Sequence, residues 1–148
     1  MAADVTSIAL RNHLSELERL AGALEKFGAR HALGPRLVNQ INLVLEEVIT
    51  NIISYGFPDA GEHLIHIDLR VASDHLTTQV EDDGVPFDIT KAPVPDVNVP
   101  LEQRPVGGLG VLLVKTLMDE VTYSRRDGRN VLLMTKHTRP IQIEPKHA

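Results

Sequence analysis

EHLIHIDLRVASDHLTTQVED, residues 62–82, decides the architecture. Ile65, Ile67, Leu69 and Val71 alternate with His66, Asp68 and Arg70, the two-residue period of a strand with one buried face. Ser73-Asp74 is a turn pair, and the return from His75 sends Leu76, Thr78 and Val80 to a common side. The same parity makes Asp82 inward. A strand pair of this kind needs apolar cover on one face only, and the flanking sequence supplies it as helices.

Upstream, residues 5–12 favour a short strand. Leu14, Leu17, Leu20, Ala21, Leu24 and Phe27 then fall at helical spacing, with Ser15 and Glu18 in capping-box register and Gly28 near the end. Gly34-Pro35 opens a second helix, with Pro where its missing N–H is harmless. That helix is predicted to run to about Tyr55, where Gly56-Phe57-Pro58 stops it, and its apolar face is Leu37, Ile41, Val44, Leu45, Val48 and Ile52. Downstream, residues 88–106 carry Pro93, Pro95, Pro100 and Pro105 without periodicity and read as a long loop. Gly107-Gly108-Leu109-Gly110 opens an apolar helix through about Met118. Strands near 121–126 and 130–136 are joined across Asp127-Gly128, a hairpin signal. The tail from Thr138 to Ala148 reads as peripheral, so residues 1–137 are expected to form the domain. This order predicts an α+β fold, a two-layer α/β sandwich with a mostly antiparallel mixed sheet covered on one face by helices.

Composition narrows the function. A chain of 148 residues with 43% hydrophobic and 24% charged residues fits one soluble globular domain. Three Phe, two Tyr and no Trp leave an aliphatic core and no set of stacking platforms for single-stranded nucleic acid. The formal charge of −5 argues against a surface that tracks phosphates, so no direct nucleic-acid partner is expected. Absence of cysteine excludes disulfides and thiolate chemistry. The start has no basic segment followed by an apolar one, and no run approaches a membrane span. The expected location is therefore the cytoplasm, without a membrane partner. The seven His are scattered, and His63 and His66 fall on opposite strand faces, which suits surface histidines rather than a metal site.

Three groups of residues carry chemistry. Asp82, sharing an inward face with Val80, needs a donor, and the amino group of a base would serve, although a solvated strand end explains Asp-Asp-Gly equally well. Glu47 and Asn51, one helical turn apart, could converge on a ligand or simply be a solvated Glu and a helix-end Asn. Magnesium takes octahedral oxygen ligands and draws few of them from protein, so one Asn oxygen could suffice. Gly107, Gly108 and Gly110 let backbone approach phosphate at a helix start, or act as a hinge; they lack the Lys-Ser/Thr of a Walker loop and do not directly follow a strand.

Taken in order, Glu47-Val-Ile-Thr-Asn51 on a helix, Asp82-Asp-Gly84-Val-Pro86-Phe87 after a strand, and Gly107-Gly-Leu-Gly110 after a proline-rich loop resemble the GHKL ATPases. With its short lid the chain looks like the anti-sigma factor serine kinases of that superfamily, over roughly residues 5–137. The resemblance implies the Bergerat ATP-binding fold and Mg2+-dependent use of ATP. It makes Asn51 the magnesium ligand, Glu47 the general base, Asp82 the adenine reader and Gly84 a close-packing glycine beside the base, flanked by Pro86 and Phe87. Gly107, Gly108, Leu109 and Gly110 would meet the phosphates, Arg104 is the nearest lid arginine, and Asn130 would contribute to the base pocket. Family members phosphorylate a STAS-domain antagonist, sequester a sigma factor or similar client, and usually act as homodimers. Two positions depart from the pattern: Pro86 stands where glycine is common, and Tyr55 where some relatives have His. A nucleotide-dependent binding module without phosphotransfer, and a detached histidine-kinase ATPase domain, are the other readings.

Overall fold

The computed structural model of the chain describes residues 5–91 and 108–138; the side chain of Leu109 lies outside that description. In chain order the elements are β1 (Val5–Arg11), α1 (Glu16–Arg30), α2 (Pro35–Tyr55), β2 (Leu64–Val71), β3 (His75–Asp82), α3 (Gly108–Leu117), β4 (Glu120–Arg126) and β5 (Arg129–His137). The strands form one sheet in the order β1-β2-β3-β5-β4, every pair antiparallel. The expected α+β sandwich is therefore present, but the sheet is not mixed among the described residues. Segment 139–148, expected to be peripheral, lies outside them.

The alternation read from residues 62–82 governs the layers. Ile65, Ile67 and Leu69 on β2 and Leu76, Thr78, Val80 and Asp82 on β3 are all buried. The apolar ones among them share a core with Leu20, Leu24 and Phe27 of α1 and with Ile41, Val44, Leu45, Val48 and Ile49 of α2. The opposite face carries His66, Asp68 and Arg70, then Thr77, Gln79 and Glu81, all at least partly exposed. One face of the sheet is thus core and the other is wet, as antiparallel sheets allow.

Register does the positioning. Thr78 pairs with Met134, Val80 with Leu132 and Asp82 with Asn130, so the inward side of β3 is matched residue by residue on β5. The β4–β5 hairpin, which pairs Arg125 with Asn130, turns through Asp127 and Gly128 at φ 51° and 76°. Two positive φ values are what a two-residue hairpin loop needs, and Asp-Gly supplies them cheaply. The chain reaches β4 from β3 by crossing over, with α3 in the connection. The start of that loop, expected to be structureless, forms a single 3-10 turn at Ile89–Lys91. Asp88 Oδ1 accepts from the Thr90 backbone N–H at 2.9 Å, and Ile89 is buried.

The capping box expected at the start of α1 is not formed. Ser15 already has helical angles, φ −61° and ψ −21°, and makes no side-chain cap. Glu16 takes over instead. Its Oε2 accepts from the Arg11 backbone N–H at 3.1 Å, its Oε1 meets the Arg11 guanidinium at 3.3 Å, and Arg19 lies 3.6 Å away. The bond from the Arg11 N–H holds the Glu16 carboxyl below its ordinary value of 4.5, against the raising effect of desolvation. A depressed carboxyl pKa contributes stability that is full above pH 4.5 and is lost as pH falls through the folded value. Glu16→Gln should therefore lower the thermal midpoint at pH 7, and the gap to the parent should close as the melting buffer is taken below pH 4.5.

Candidate functional site

The site begins at the end of β3, where Asp82 is only 3% exposed. Two donors meet it: the Gly84 backbone N–H at 2.8 Å and Asn130 Nδ2 at 3.1 Å, both on Oδ1. Among the described residues no donor reaches its Oδ2. Burial pushes the Asp82 carboxyl up, and Asn130 and the Gly84 N–H pull it down by less. The result is a buried acid with one oxygen committed to the fold and the other available to an incoming donor.

Asn130 organises the turn that follows. Besides Asp82 it donates to the Val85 carbonyl at 2.9 Å, and its Oδ1 accepts from the Phe87 N–H at 3.3 Å, from Arg125 Nη1 at 3.1 Å and from the Tyr123 hydroxyl. Arg125 Nη1 also donates to the Gly84 carbonyl at 2.8 Å. The amide therefore grips the backbone on both sides of Pro86. Proline at that position has no N–H to satisfy, and its departure from the family pattern leaves these bonds intact. Gly84 is required by close approach: a Cβ there would lie 2.5 Å from the Gly56 carbonyl oxygen. Val85 N–H donates to that same oxygen at 2.8 Å, tying the turn to the end of α2.

The second half of the site is on α2. Glu47 and Asn51 are half-buried on one face, and Gly110 of α3 packs against both. A methyl at Gly110 would come within 3.0 Å of Glu47 Oε2 and 3.3 Å of Asn51 Nδ2, so glycine is what lets the two helices close here. The start of α3, the positive end of its dipole, is thereby brought beside a carboxylate and an amide. Among the described residues no cluster of three or more His, Asp or Glu could hold a metal ion. An ion held by one amide oxygen and by phosphates needs no cage.

The sequence-predicted residues thus fall into two groups, Asp82, Gly84, Pro86, Phe87 and Asn130 at the turn, and Glu47, Asn51 and Gly110 between helices. Gly108 begins α3. Gly107 and Arg104 lie outside the described residues. Tyr55, at the end of α2, is exposed. Sequence reading gave Asn130 little weight and missed Tyr123 and Arg125 altogether. Hairpin register was the signal available, since Asp127-Gly128 forces Arg125 opposite Asn130.

The family model described as "Histidine kinase-like ATPase domain" matches residues 10–136. The chain is 32% identical over 117 residues to the serine/threonine-protein kinase BtrW of Bordetella bronchiseptica, covering 79% of this chain and 82% of that protein. It is 35% identical over 112 residues to the serine-protein kinase RsbW of Bacillus cereus, covering 72% and 68%. Among solved structures, the fold matches a blue-light activated histidine kinase of Erythrobacter litoralis, with TM-score 0.54 and 21% identity over 84% of this chain. The chain spans 41% of that histidine kinase, and 60% of its separately solved kinase domain, matched at TM-score 0.50.

Replacing Asn130 by Ala removes two donors and an acceptor from a buried network and leaves Asp82 underserved. A loss of about 1–3 kcal/mol of folding stability is expected in urea titrations at pH 7. An unchanged midpoint would mean that the amide holds nothing.

Proposed function

The chain belongs to the histidine kinase-like ATPase family, on its serine-protein kinase branch, and from that premise we propose that it is a Mg-ATP-dependent protein serine/threonine kinase that also acts as an anti-sigma, partner-switching regulator. Its substrate is a Ser or Thr on a STAS-domain antagonist. Its client is a sigma factor or a similar regulator, held when the antagonist is phosphorylated. The working form is a cytoplasmic homodimer, with residues 1–137 as the kinase domain. No helix among the described residues is long and apolar enough to cross a membrane.

What supports this reading most is the convergence of Glu47, Asn51 and the Gly110 backbone at one point, with a buried acid, Asp82, at the end of the neighbouring strand. Asp82 accepts from the amino group of adenine through the oxygen that the fold leaves open. Gly84 keeps side-chain bulk away from the base. The backbone at the start of α3 faces the phosphates, where N–H groups and the helix dipole favour negative charge. Asn51 would hold Mg2+, which when bound would neutralise charge on the phosphates. Glu47 orients the substrate hydroxyl and takes its proton as the hydroxyl oxygen bonds to the γ-phosphorus. The bond from that phosphorus to the bridging oxygen breaks, and ADP leaves with the electron pair. Phosphoryl transfer demands little more of a protein than this placement.

Labelled ATP incubated with the protein and its STAS-domain antagonist should yield phosphorylated antagonist. Glu47→Gln should slow transfer by about 10²–10⁴-fold while leaving the affinity for ADP unchanged. Unaltered turnover in that variant would remove Glu47 from the mechanism. ADP binding by the parent with no transfer at all would favour a nucleotide-dependent binding module.

A further inference from the structure

His63 sits between α2 and β2 at a place the nucleotide chemistry does not use. Its Nε2 lies 2.8 Å from Asp59 Oδ1 and its Nδ1 3.0 Å from Asp83 Oδ1. The ring lies flat on Phe57, with centroids 4.2 Å apart and planes 9° apart, and the side chain is 18% exposed. Its backbone is fixed too. The His63 N–H donates to Asn12 Oδ1 at 3.0 Å, the His63 carbonyl accepts from the Asn12 N–H at 3.1 Å, and Asn12 Nδ2 reaches the Gly61 carbonyl at 3.2 Å. Asp59 in turn accepts from the Gly61 N–H at 2.7 Å, so the whole segment 57–63 is cross-linked.

The two carboxylates are in different parts of the site. Asp59 belongs to the loop that leaves α2, the helix carrying Glu47 and Asn51. Asp83 is the residue between Asp82 and Gly84, in the turn that reads the base. Both ring nitrogens engage carboxylate oxygens, and a carboxylate only accepts, so full use of the ring requires the imidazolium. The only other tie of this kind among the described residues is the Val85 N–H to the Gly56 carbonyl.

We propose that His63 is a positioning residue for nucleotide: as an imidazolium bridging Asp59 and Asp83 it clamps the base-reading turn to the end of α2. The clamp fixes the spacing between the acid that reads adenine and the helix that faces the phosphates. This inference rests on the ATP-site reading given above. It differs from that reading in assigning to a residue that touches neither base nor phosphate a share of the affinity, and in making that share pH-dependent. Its bonds to Asp59 first, and then to Asp83, raise the His63 pKa above the ordinary 6.5, against desolvation. The charged groups acting on the ring are those two carboxylates. Asn12 on the β1 side is neutral, Arg11 is turned to Glu16, and neighbouring Glu62 is exposed. A raised folded pKa means that the clamp is fully closed below pH 6.5 and is lost as pH rises through the folded value.

The test is ADP affinity by calorimetry from pH 6 to pH 9 for the parent and for His63→Phe, which keeps a flat ring for Phe57 and removes both bonds. At pH 6 the variant should bind about 3- to 10-fold more weakly, as expected for two partly exposed ion pairs, and the ratio should shrink as pH rises. Taking the ratio cancels titration of ADP and of Asp82. The turnover number at saturating ATP should be unchanged, with KM raised. Equal affinities at every pH, or a ratio that does not vary with pH, would overturn the proposal. If thermal melting shows that His63→Phe does not fold, Asp83→Asn is read by the same two criteria. No ADP binding by the folded parent at any pH would sink the nucleotide reading itself, an outcome distinct from a parent that binds but matches its variant.

Discussion

A buried carboxylate must be given partners or it will take a proton, and Asp82 is the place where this constraint shapes the molecule. Its partner Asn130 is delivered by strand register, because β5 pairs with β3 so that the two residues face each other. From that one amide the turn 84–87 is hung, Arg125 and Tyr123 are drawn inward, and Pro86 becomes acceptable. Both donors fall on one oxygen of the carboxylate, and among the described residues none reaches the other. In the proposed reading, folding and recognition would draw on the same group.

The fold was largely legible because its signals are strong and local. Alternation in residues 62–82 fixed the inward face, the Gly34-Pro35 start and the apolar stripe fixed α2, and Asp127-Gly128 fixed the hairpin. What could not be read was set by tertiary geometry. Ser15 looked like a helix cap, yet the chain enters α1 already helical, and Glu16 serves the Arg11 backbone instead. His63 looked like a surface residue because strand parity says nothing about a loop packed beside it. Asn130 carried little weight alone; its role arises only when β3 and β5 are adjacent, a long-range pairing that local pattern does not reveal. Glu47, Asn51 and Gly110 were each ambiguous, and become a site through the contact between α2 and α3.

Two rigid arms then divide the work. The end of β3 with its turn carries the buried acid Asp82 and its partner Asn130, and the face of α2 carries the Glu47 carboxylate and the Asn51 amide that meet the start of α3. Between them run residues 56–63, tied by hydrogen bonds to Asn12 and to the 83–85 turn. A nucleotide long enough to touch both arms is favoured when their separation is already correct, because less ordering is left to be done on binding. In the proposed mechanism, nucleotide binding and chemistry would rest on different residues.

An acceptor role for Asp82 toward an amino group on the base is tested most directly by comparing ADP with inosine diphosphate, in which that amino group is replaced by a carbonyl oxygen. A buried acceptor facing an acceptor has no bond to offer, so ADP should bind at least about 100-fold more tightly in competition calorimetry. Affinities within about twofold of one another would rule out this role for Asp82, since a site indifferent to that group is not reading it through a carboxylate.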